Sequence, residues 1–363
     1  MIKKMLVGYI QDGKHSGIDK YLLGFIKIAH ENGVELDLLT DEVTLEMSAY
    51  LSKFGYGLFA VPSLKKPLAQ YKTIKKIIKK GCYDGVYFNI SESFNCMGIL
   101  AAKKYGIPVR IVHSHSSGVD RANKYVRTAR EVLHKLFRHR VSSLATHRFA
   151  CSSIAGKWMF DKNFNIIYNA VDKTRFSYNE TVREDMRRAL VLTDEKVFIH
   201  IGNFCYAKNT FFLVDIMKQV LKREKNAILL SVGTGPDFEA VCEYAKKLKV
   251  DKNIRFLGVR DDIPALLSAA DVFIFPSRFE GLPITCIEAQ FSGLPCILSD
   301  EIAAEVKISD RVSFLSIDNA ENWAKYAILN INQRNSAVLS SEVLQNYDIE
   351  NQKKQLSAIL KGH

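Results

Sequence analysis

No apolar run in the 363 residues approaches the roughly 18 that a membrane span requires. A bilayer-crossing chain is therefore not expected. The opening MIKKMLVGYIQDG sets lysines before an apolar stretch. That stretch is too short for a secretory signal and lacks a small-residue cleavage site, so it reads as a first buried strand. C-x-x-C pairs are missing too. The seven cysteines (Cys82, Cys96, Cys151, Cys205, Cys242, Cys286, Cys296) are scattered and odd in number. This argues against a disulfide framework and a zinc site and fits a reducing cytoplasm, with most thiols as small core residues. Low-complexity tracts and nucleic-acid-binding motifs, including an aromatic RNP pattern, are also absent.

The first half is short of acid. Residues 1–170 hold 26 Lys and Arg against 13 Asp and Glu, a net of +13, and the remainder holds 25 against 26. The formal charge of +12 thus lies entirely in the first half. A basic half beside a neutral one points to a polyanionic partner such as a membrane surface, a phosphorylated lipid or nucleic acid. The length suits two domains, and 47% hydrophobic with 25% charged residues is a soluble globular composition.

What is present is alternation. Short apolar runs (MLVGYI, VELDLL, GVYFNI, PVRIVH) alternate with helical stretches such as GIDKYLLGFIKIAH and TIKKIIKK. The second half repeats this with KVFIHIG, AILLSVG, IRFLG, DVFIFPS and PCILS. Buried strands separated by helices predict α/β architecture: two doubly wound parallel-sheet domains with ligands at the carboxyl ends of the strands. One series ends and the next begins near IIYNAVDKTRF, residues 166–176. The expected division is 1–170, 171–348 and a C-terminal helix in 349–363 packing back on the first domain. A binding cleft between the domains is expected.

The segment FPSRFEGLPITCIEAQFSGLPCILSD, residues 275–300, follows such a strand. Pro283 suits a helix start and Gly293 its stop. Glu280 then lies in the strand-to-helix loop and Glu288 on the helix. Amides from Gly281 onward would meet an anion or sugar oxygens, and the two carboxylates would accept from sugar or ribose hydroxyls. On spacing alone, a helix-starting acid plus a solvated one is an equal reading.

This segment resembles the E-x7-E signature of retaining nucleotide-sugar glycosyltransferases with the GT-B fold, glycosyltransferase family 4 (group 1). Other stretches extend the resemblance over most of the chain. HIGNFCYAKN resembles the strand and loop with the family's diphosphate-binding lysine, here Lys208. SVGTGPDFEAV is similar to the next strand-loop-helix, and FLGVRDDIPALLSAADVFIFPS to the base-binding loop at Val259 and Arg260 and the strand into the signature. KHSGIDKYLLGFIKIA resembles the glycine-rich first loop, with Gly17, and IVHSHSSG the loop whose histidine, here His115, lines the donor–acceptor cleft. HSHSSG, FACSSIAGKWMF and IIYNAVDKTRF are similar to bacterial capsular and exopolysaccharide transferases.

The resemblance implies two Rossmann-like domains facing across a cleft. It implies Glu280, His115 and Lys208 as catalytic residues. Donor-binding roles pass to Gly17, Gly202, Asn203, Lys208, Val259, Arg260, Glu280, Gly281, Leu282, Pro283 and Glu288. Glu280 would hold the sugar hydroxyls and Glu288 the ribose, a structural acid on a surface helix being the alternative for Glu288. Two positions depart from the family: Gly202-Asn203 replaces Gly-Arg, and Ser16-Gly17 replaces Gly-Gly. Asn203 donates a hydrogen bond without arginine's charge and fork.

Other features have plainer readings. His113, two residues before His115, is expected to face the sheet or support the loop, and the pair lacks a third metal ligand. GTGP, residues 233–236, fails as a dinucleotide fingerprint because Phe238 occupies the third glycine position. Asp261 and Asp262 read as helix N-caps. In KKPLAQYKTIKKIIKKG the expected buried stripe is Leu68, Tyr71, Ile74 and Ile78. In NKYVRTAREVLHKLFRHR it is Val126, Ala129, Leu133 and Leu136, with Arg127, Arg130, His134 and Arg138 on another face. Such basic amphipathic helices pack and solvate their charges, or lie on an anionic membrane.

The expectation is a peripheral, metal-independent retaining glycosyltransferase at the inner face of the plasma membrane, without cofactor. It would move a sugar from a nucleotide-sugar, a UDP-sugar by resemblance, to a lipid-linked oligosaccharide in bacterial surface polysaccharide synthesis. No nucleic-acid partner is expected. The alternatives are a nucleic-acid-binding protein using the basic half and a non-catalytic nucleotide-sugar-binding protein.

Overall fold

The computed structural model describes residues 2–11, 17–334 and 345–362. The chain divides into two compact units. Unit 1 is Met1–Val119, Lys124–Asn169 and Ile349–His363; unit 2 is Asp120–Asn123 with Ala170–Asp348.

In unit 1 the order is β1 (Lys4–Gly8), α1 (Gly17–Glu31), β2 (Glu35–Thr40), α2 (Leu45–Ser52), β3 (Gly57–Ala60), α3 (Pro67–Gly81) and β4 (Gly85–Ile90). Then come α4 (Met97–Lys104), β5 (Val109–Ser114), α5 (Lys124–Leu144), β6 (His147–Ala150), α6 (Ser153–Met159) and β7 (Asn165–Ile166). The seven strands lie in the order β3-β2-β1-β4-β5-β6-β7, with every pairing parallel. The order reverses between β1 and β4, a switch point whose strand ends open a crevice. One sheet face packs on α1 and α2 through Leu22, Phe25, Ile26, Met47 and Leu51. The other is covered by α3 to α6 through Ile74, Ile78, Ile99, Val141, Leu144 and Met159. A last helix, Ile349–Lys361, lies against α1: Leu356 and Leu360 enter its core cluster, Asn32 Nδ2 donates to Ser357 Oγ at 2.9 Å, and the Ile2 amide donates to Leu360 O at 3.2 Å.

Unit 2 begins with α7 (Lys173–Phe176), α8 (Glu180–Ala189), β8 (Lys196–Ile201), α9 (Thr210–Val220), β9 (Ala227–Val232) and α10 (Phe238–Lys247). It continues through β10 (Ile254–Gly258), α11 (Ile263–Ala269), β11 (Val272–Phe275), α12 (Ile284–Phe291), β12 (Cys296–Ser299), β13 (Val312–Leu315) and α13 (Ala320–Leu329), so the last helix of the chain becomes α14. Its six strands run β10-β9-β8-β11-β12-β13, again all parallel. The switch point falls between β8 and β11. The expected α/β architecture of two doubly wound parallel sheets is therefore present.

The stripe expected to bury α5 is on the wrong side. Leu136 is 70% exposed, and Val126, Ala129 and Leu133 are exposed as well, as is Val132 beside them. The polar face is the one that docks. Arg130 clamps Glu92 and lies 4.9 Å from the Phe94 ring centroid. His134 is fully buried: its Nδ1 accepts from the Ser93 amide at 3.0 Å and its Nε2 donates to Trp158 O at 2.8 Å. Its ring stacks on Trp158 with centroids 3.8 Å apart. Arg138 donates to Phe160 O at 2.6 Å. The upper part of α5 thus docks through specific polar partners; Val141 and Leu144 enter the apolar core, and half-buried Phe137 packs against it. In α3, Ile74 and Ile78 are buried as expected, whereas Leu68 is exposed and Gln70 is buried in its place, donating to Pro62 O.

Candidate active site

In unit 2 the carboxyl ends of β8 and β11 are adjacent, and each runs into a loop bearing sequence-predicted residues. After β8 the loop rises through Gly202 and the exposed Asn203, then turns back at Cys205–Asn209. Asn209 takes a left-handed conformation (φ 55°) at the N-cap of α9, which asparagine tolerates better than most residues. After β11 the chain passes Pro276 to Glu280 and enters α12 with Pro283 at the N-cap position; Gly293 (φ 70°) follows its last turn. Three bonds stitch the loops together: Asn209 Nδ2 to Pro276 O at 3.1 Å, Arg278 Nη2 to Asn209 Oδ1 at 2.6 Å, and the Arg278 amide to Ala207 O at 2.7 Å.

That stitching brings Lys208 onto Glu280. Lys208 Nζ donates to Glu280 Oε1 at 2.6 Å, with both side chains over four-fifths buried. The ammonium also lies 4.7 Å from the Phe275 ring centroid, on the favourable side of its quadrupole. Lys208 and Glu280, 72 residues apart, form one ion pair at the switch point.

Beneath them lies His200, which sequence reasoning missed. Its signal was a lone polar residue in the otherwise apolar strand KVFIHI. It is fully buried, and its Nδ1 donates to Ile274 O at 3.1 Å, leaving Nε2 as a lone-pair nitrogen without a partner among the described residues. A Cβ added to Gly202 would lie 3.3 Å from that nitrogen and from Cδ and Cε of Lys208. Glycine at 202 therefore leaves room for the lysine stem. The GTGP stretch also gains a role, since Gly233 (φ 129°) and Gly235 (φ 159°) let the loop after β9 pass against the backbone of Gly202 and Phe204.

The other residues expected to bind a donor lie after β10 and after β11. Gly281, Leu282 and Pro283 are buried in the loop entering α12. Glu288 is 4% exposed, which removes the reading of a surface-helix acid. Val259 is half exposed after β10. Asp262 holds the N-cap position of α11 but makes no capping bond. Arg260 grips its carboxylate in a fork, at 2.8 Å through Nε, and holds it below the usual carboxylate range. The paired-cap reading of Asp261 and Asp262 thus gives way to an Arg260–Asp262 pair.

In unit 1, Gly17 is the first residue of α1, and Ser16 before it lies outside the described residues. His115 follows β5, and its Nε2 lies 2.9 Å from Asn89 Oδ1 at the end of β4. The other end of that amide donates to Gly8 O, so Oδ1 must accept and His115 Nε2 must carry the proton. Its Nδ1 is then the lone-pair nitrogen. His113 faces the sheet as expected: it is buried, with Nδ1 2.8 Å from Tyr87 Oη, which in turn lies 2.7 Å from Tyr21 Oη.

Burial holds His113, His115, His134 and His200 below the ordinary imidazole value, His200 at about 4. The unfolded chain protonates each near pH 6.5 while the folded protein does not. Their contribution to stability is therefore full above about pH 6.5 and is lost as pH falls towards about 4. The melting temperature at pH 5 is expected to lie well below that at pH 7, and His200→Asn, which keeps a donor for Ile274 O, should flatten part of that slope. Equal melting temperatures at the two pH values would refute this.

Two doubly wound parallel-sheet domains, one carrying a cation–carboxylate pair at its switch point, define the GT-B class of architecture. Residues 182–341 match the family model described as glycosyl transferases group 1. The chain is 27% identical over 317 residues to the putative glycosyltransferase EpsF of Bacillus subtilis (strain 168), covering 84% of this chain and 81% of that protein. It is also 27% identical over 302 residues to an Escherichia coli UDP-Gal:alpha-D-GlcNAc-diphosphoundecaprenol alpha-1,3-galactosyltransferase, covering 78% and 76%. The crystal structure of HepE from Anabaena in complex with UDP-glucose superposes with a TM-score of 0.77 at 16% identity, over 100% of both chains. Residues 182–341 thus carry a group 1 glycosyltransferase domain, and the chain as a whole has the GT-B fold.

Proposed function

We propose that the chain is a retaining, metal-independent glycosyltransferase that moves a sugar from a UDP-sugar to a lipid-linked oligosaccharide during bacterial capsule or exopolysaccharide synthesis. It would work as a peripheral protein on the cytoplasmic face of the membrane. The Lys208–Glu280 pair at the β8/β11 switch point carries this reading. Breaking a sugar–diphosphate bond leaves negative charge on the departing nucleotide, and Lys208 is the cation placed to take it up. Before the donor arrives, Glu280 neutralises that cation. A diphosphate that draws Lys208 away frees Glu280 to accept from sugar hydroxyls, so one ion pair is exchanged for two donor contacts. His115 of unit 1, with its Nδ1 lone pair, is proposed as a further catalytic residue.

Retention is attributed to front-side attack. The acceptor hydroxyl forms the new bond to the anomeric carbon as the bond to phosphate breaks, and its proton passes to the departing phosphate oxygen. No protein nucleophile takes part. The named activity of the E. coli relative supports both the UDP donor and the diphosphate-lipid acceptor, and HepE's complex supports the donor.

Thermal stabilisation by a panel of nucleotide sugars tests the reading, with Glu288→Ala measured beside the wild type. A ligand at about 100 times its dissociation constant adds roughly 2.7 kcal/mol to the folded state. A shift with one UDP-sugar, weakened at least tenfold in apparent affinity by Glu288→Ala, is expected. No shift with any nucleotide sugar would sink the proposal, and binding without transfer to any acceptor would make the chain a non-catalytic donor-binding protein.

A further inference from the structure

Helix α5 presents to solvent the face that its sequence pattern would bury. At about 100° per residue, Ala129, Val132, Leu133 and Leu136 fall within roughly 100° of arc, and exposed Tyr125 and Val126 extend the stripe towards the helix start. The arrangement is fixed from behind. Arg130, His134 and Arg138, on the opposite face, are anchored to Glu92, Ser93, Trp158 and Phe160. The helix cannot roll its aliphatic side inward without breaking those bonds.

The surroundings of the stripe are predominantly basic, Asp161, bonded to His139, being an acid beside it. α3, α4 and α5 lie side by side on one face of the unit 1 sheet. Together they contain 13 Lys and Arg and a single acid, Glu131. Exposed Lys72, Lys76, Lys79 and Lys80 on α3 and Lys103 and Lys104 on α4 flank Lys135 and Arg140 on α5. An aliphatic stripe about 17 Å long in a basic field matches an anionic bilayer, whose headgroups take the cations and whose acyl boundary takes the side chains. A second copy of this chain would set basic face against basic face. A nucleic acid would use the cations but leave the valine and leucines without a partner.

We propose that the exposed face of α5 inserts into the interfacial layer of an anionic membrane, with the lysines of α3 and α4 as its electrostatic rim. This rests on the peripheral-membrane part of the function proposed above and names the element that performs it.

The test is co-flotation of the full chain with vesicles of phosphatidylglycerol and phosphatidylcholine, compared with phosphatidylcholine alone. Wild type is expected to float with the anionic vesicles and to keep part of its binding at about 0.5 M NaCl, where screening shortens to roughly 4 Å. Leu133→Gln/Leu136→Gln should lower the partition coefficient at least about tenfold and abolish the salt-resistant part. Lys75→Glu/Lys76→Glu should remove the salt-sensitive part only. Both variants alter exposed or half-exposed side chains and are expected to melt as wild type does.

Undiminished, salt-resistant binding by Leu133→Gln/Leu136→Gln would overturn the proposal while leaving membrane association standing. No flotation of the wild type would overturn both, and nucleotide-sugar stabilisation in the same preparation would show that the donor reading survives. Loss of a dimer on the leucine substitutions, seen by light scattering without change in flotation, would assign the stripe to a second copy instead.

Discussion

Lys208→Ala is expected to lower the rate of sugar transfer by about a hundred- to a thousandfold, the usual cost of losing one group aimed at developing charge. The same change leaves the Glu280 carboxylate, largely buried, without the ammonium 2.6 Å away. A stability loss of about 1–3 kcal/mol should follow, as for other charge-assisted bonds broken on one side. Glu280→Ala alone should cost a similar amount by stranding the lysine. The double variant separates the two effects. Removing both charges leaves nothing stranded, so its melting temperature should lie above the value expected from adding the single losses, while its activity stays as low as the worse single variant. Transfer assays beside thermal melts on the four proteins close the cycle. Activity within threefold of wild type for Lys208→Ala would exclude the lysine from the reaction.

The second large effect concerns no charged group. Gly233→Ala should destabilise unit 2 by about 2–6 kcal/mol: a non-glycine φ in this region costs about 1–3 kcal/mol and overpacking a similar amount again. At φ 129° the new Cβ would overlap Gly202 O, a backbone atom that cannot swing aside as a side-chain tip could. Gly235→Ala meets Phe204 O in the same way at φ 159°. If unit 2 relaxes instead of unfolding, the atoms that move are those of the Gly202–Phe204 turn, and the Lys208 loop moves with them. Donor binding should therefore fall even where circular dichroism shows a folded chain. Gly24→Ala, on α1 with open space around its Cβ, is the matched control and should be nearly silent. A Gly233→Ala protein as stable as that control would contradict the packing described.

The strands were legible because a strand buried on both faces must be apolar throughout. AILLSV and VFIF can be little else between helical stretches. Glu280 and Glu288 stood out because they follow a predicted strand end, where doubly wound domains meet ligands, whereas Lys208 rested on the resemblance of HIGNFCYAKN alone; that Lys208 and Glu280 pair was visible only in the structure. Periodicity failed on α5. An apolar stripe announces a buried face only when nothing better holds the other side. Here Glu92, Ser93, Trp158 and Phe160, far away in sequence, supply Arg130, His134 and Arg138 with bonds that no local pattern encodes. His200 escaped notice for the opposite reason: within KVFIHI it looks like an interruption, and only the backbone of β11 shows where its Nδ1 proton goes.

Unit 1 draws on stretches of chain that lie on both sides of unit 2 in the sequence, up to Asn169 and from Ile349. Between Asn169 and Ile349 the ribosome must make roughly 180 residues of the other unit before Leu356 and Leu360 can complete the core cluster that contains Leu22 and Phe25. At about 5–20 residues per second that delay is roughly 10–40 s. During it the flank of α1 that will receive α14 stays uncovered, while unit 2 already has nearly all of its strands. The order of completion is thus the reverse of the order of synthesis. A nascent-chain protease should find the older unit the easier target until the last turn of α14 is released.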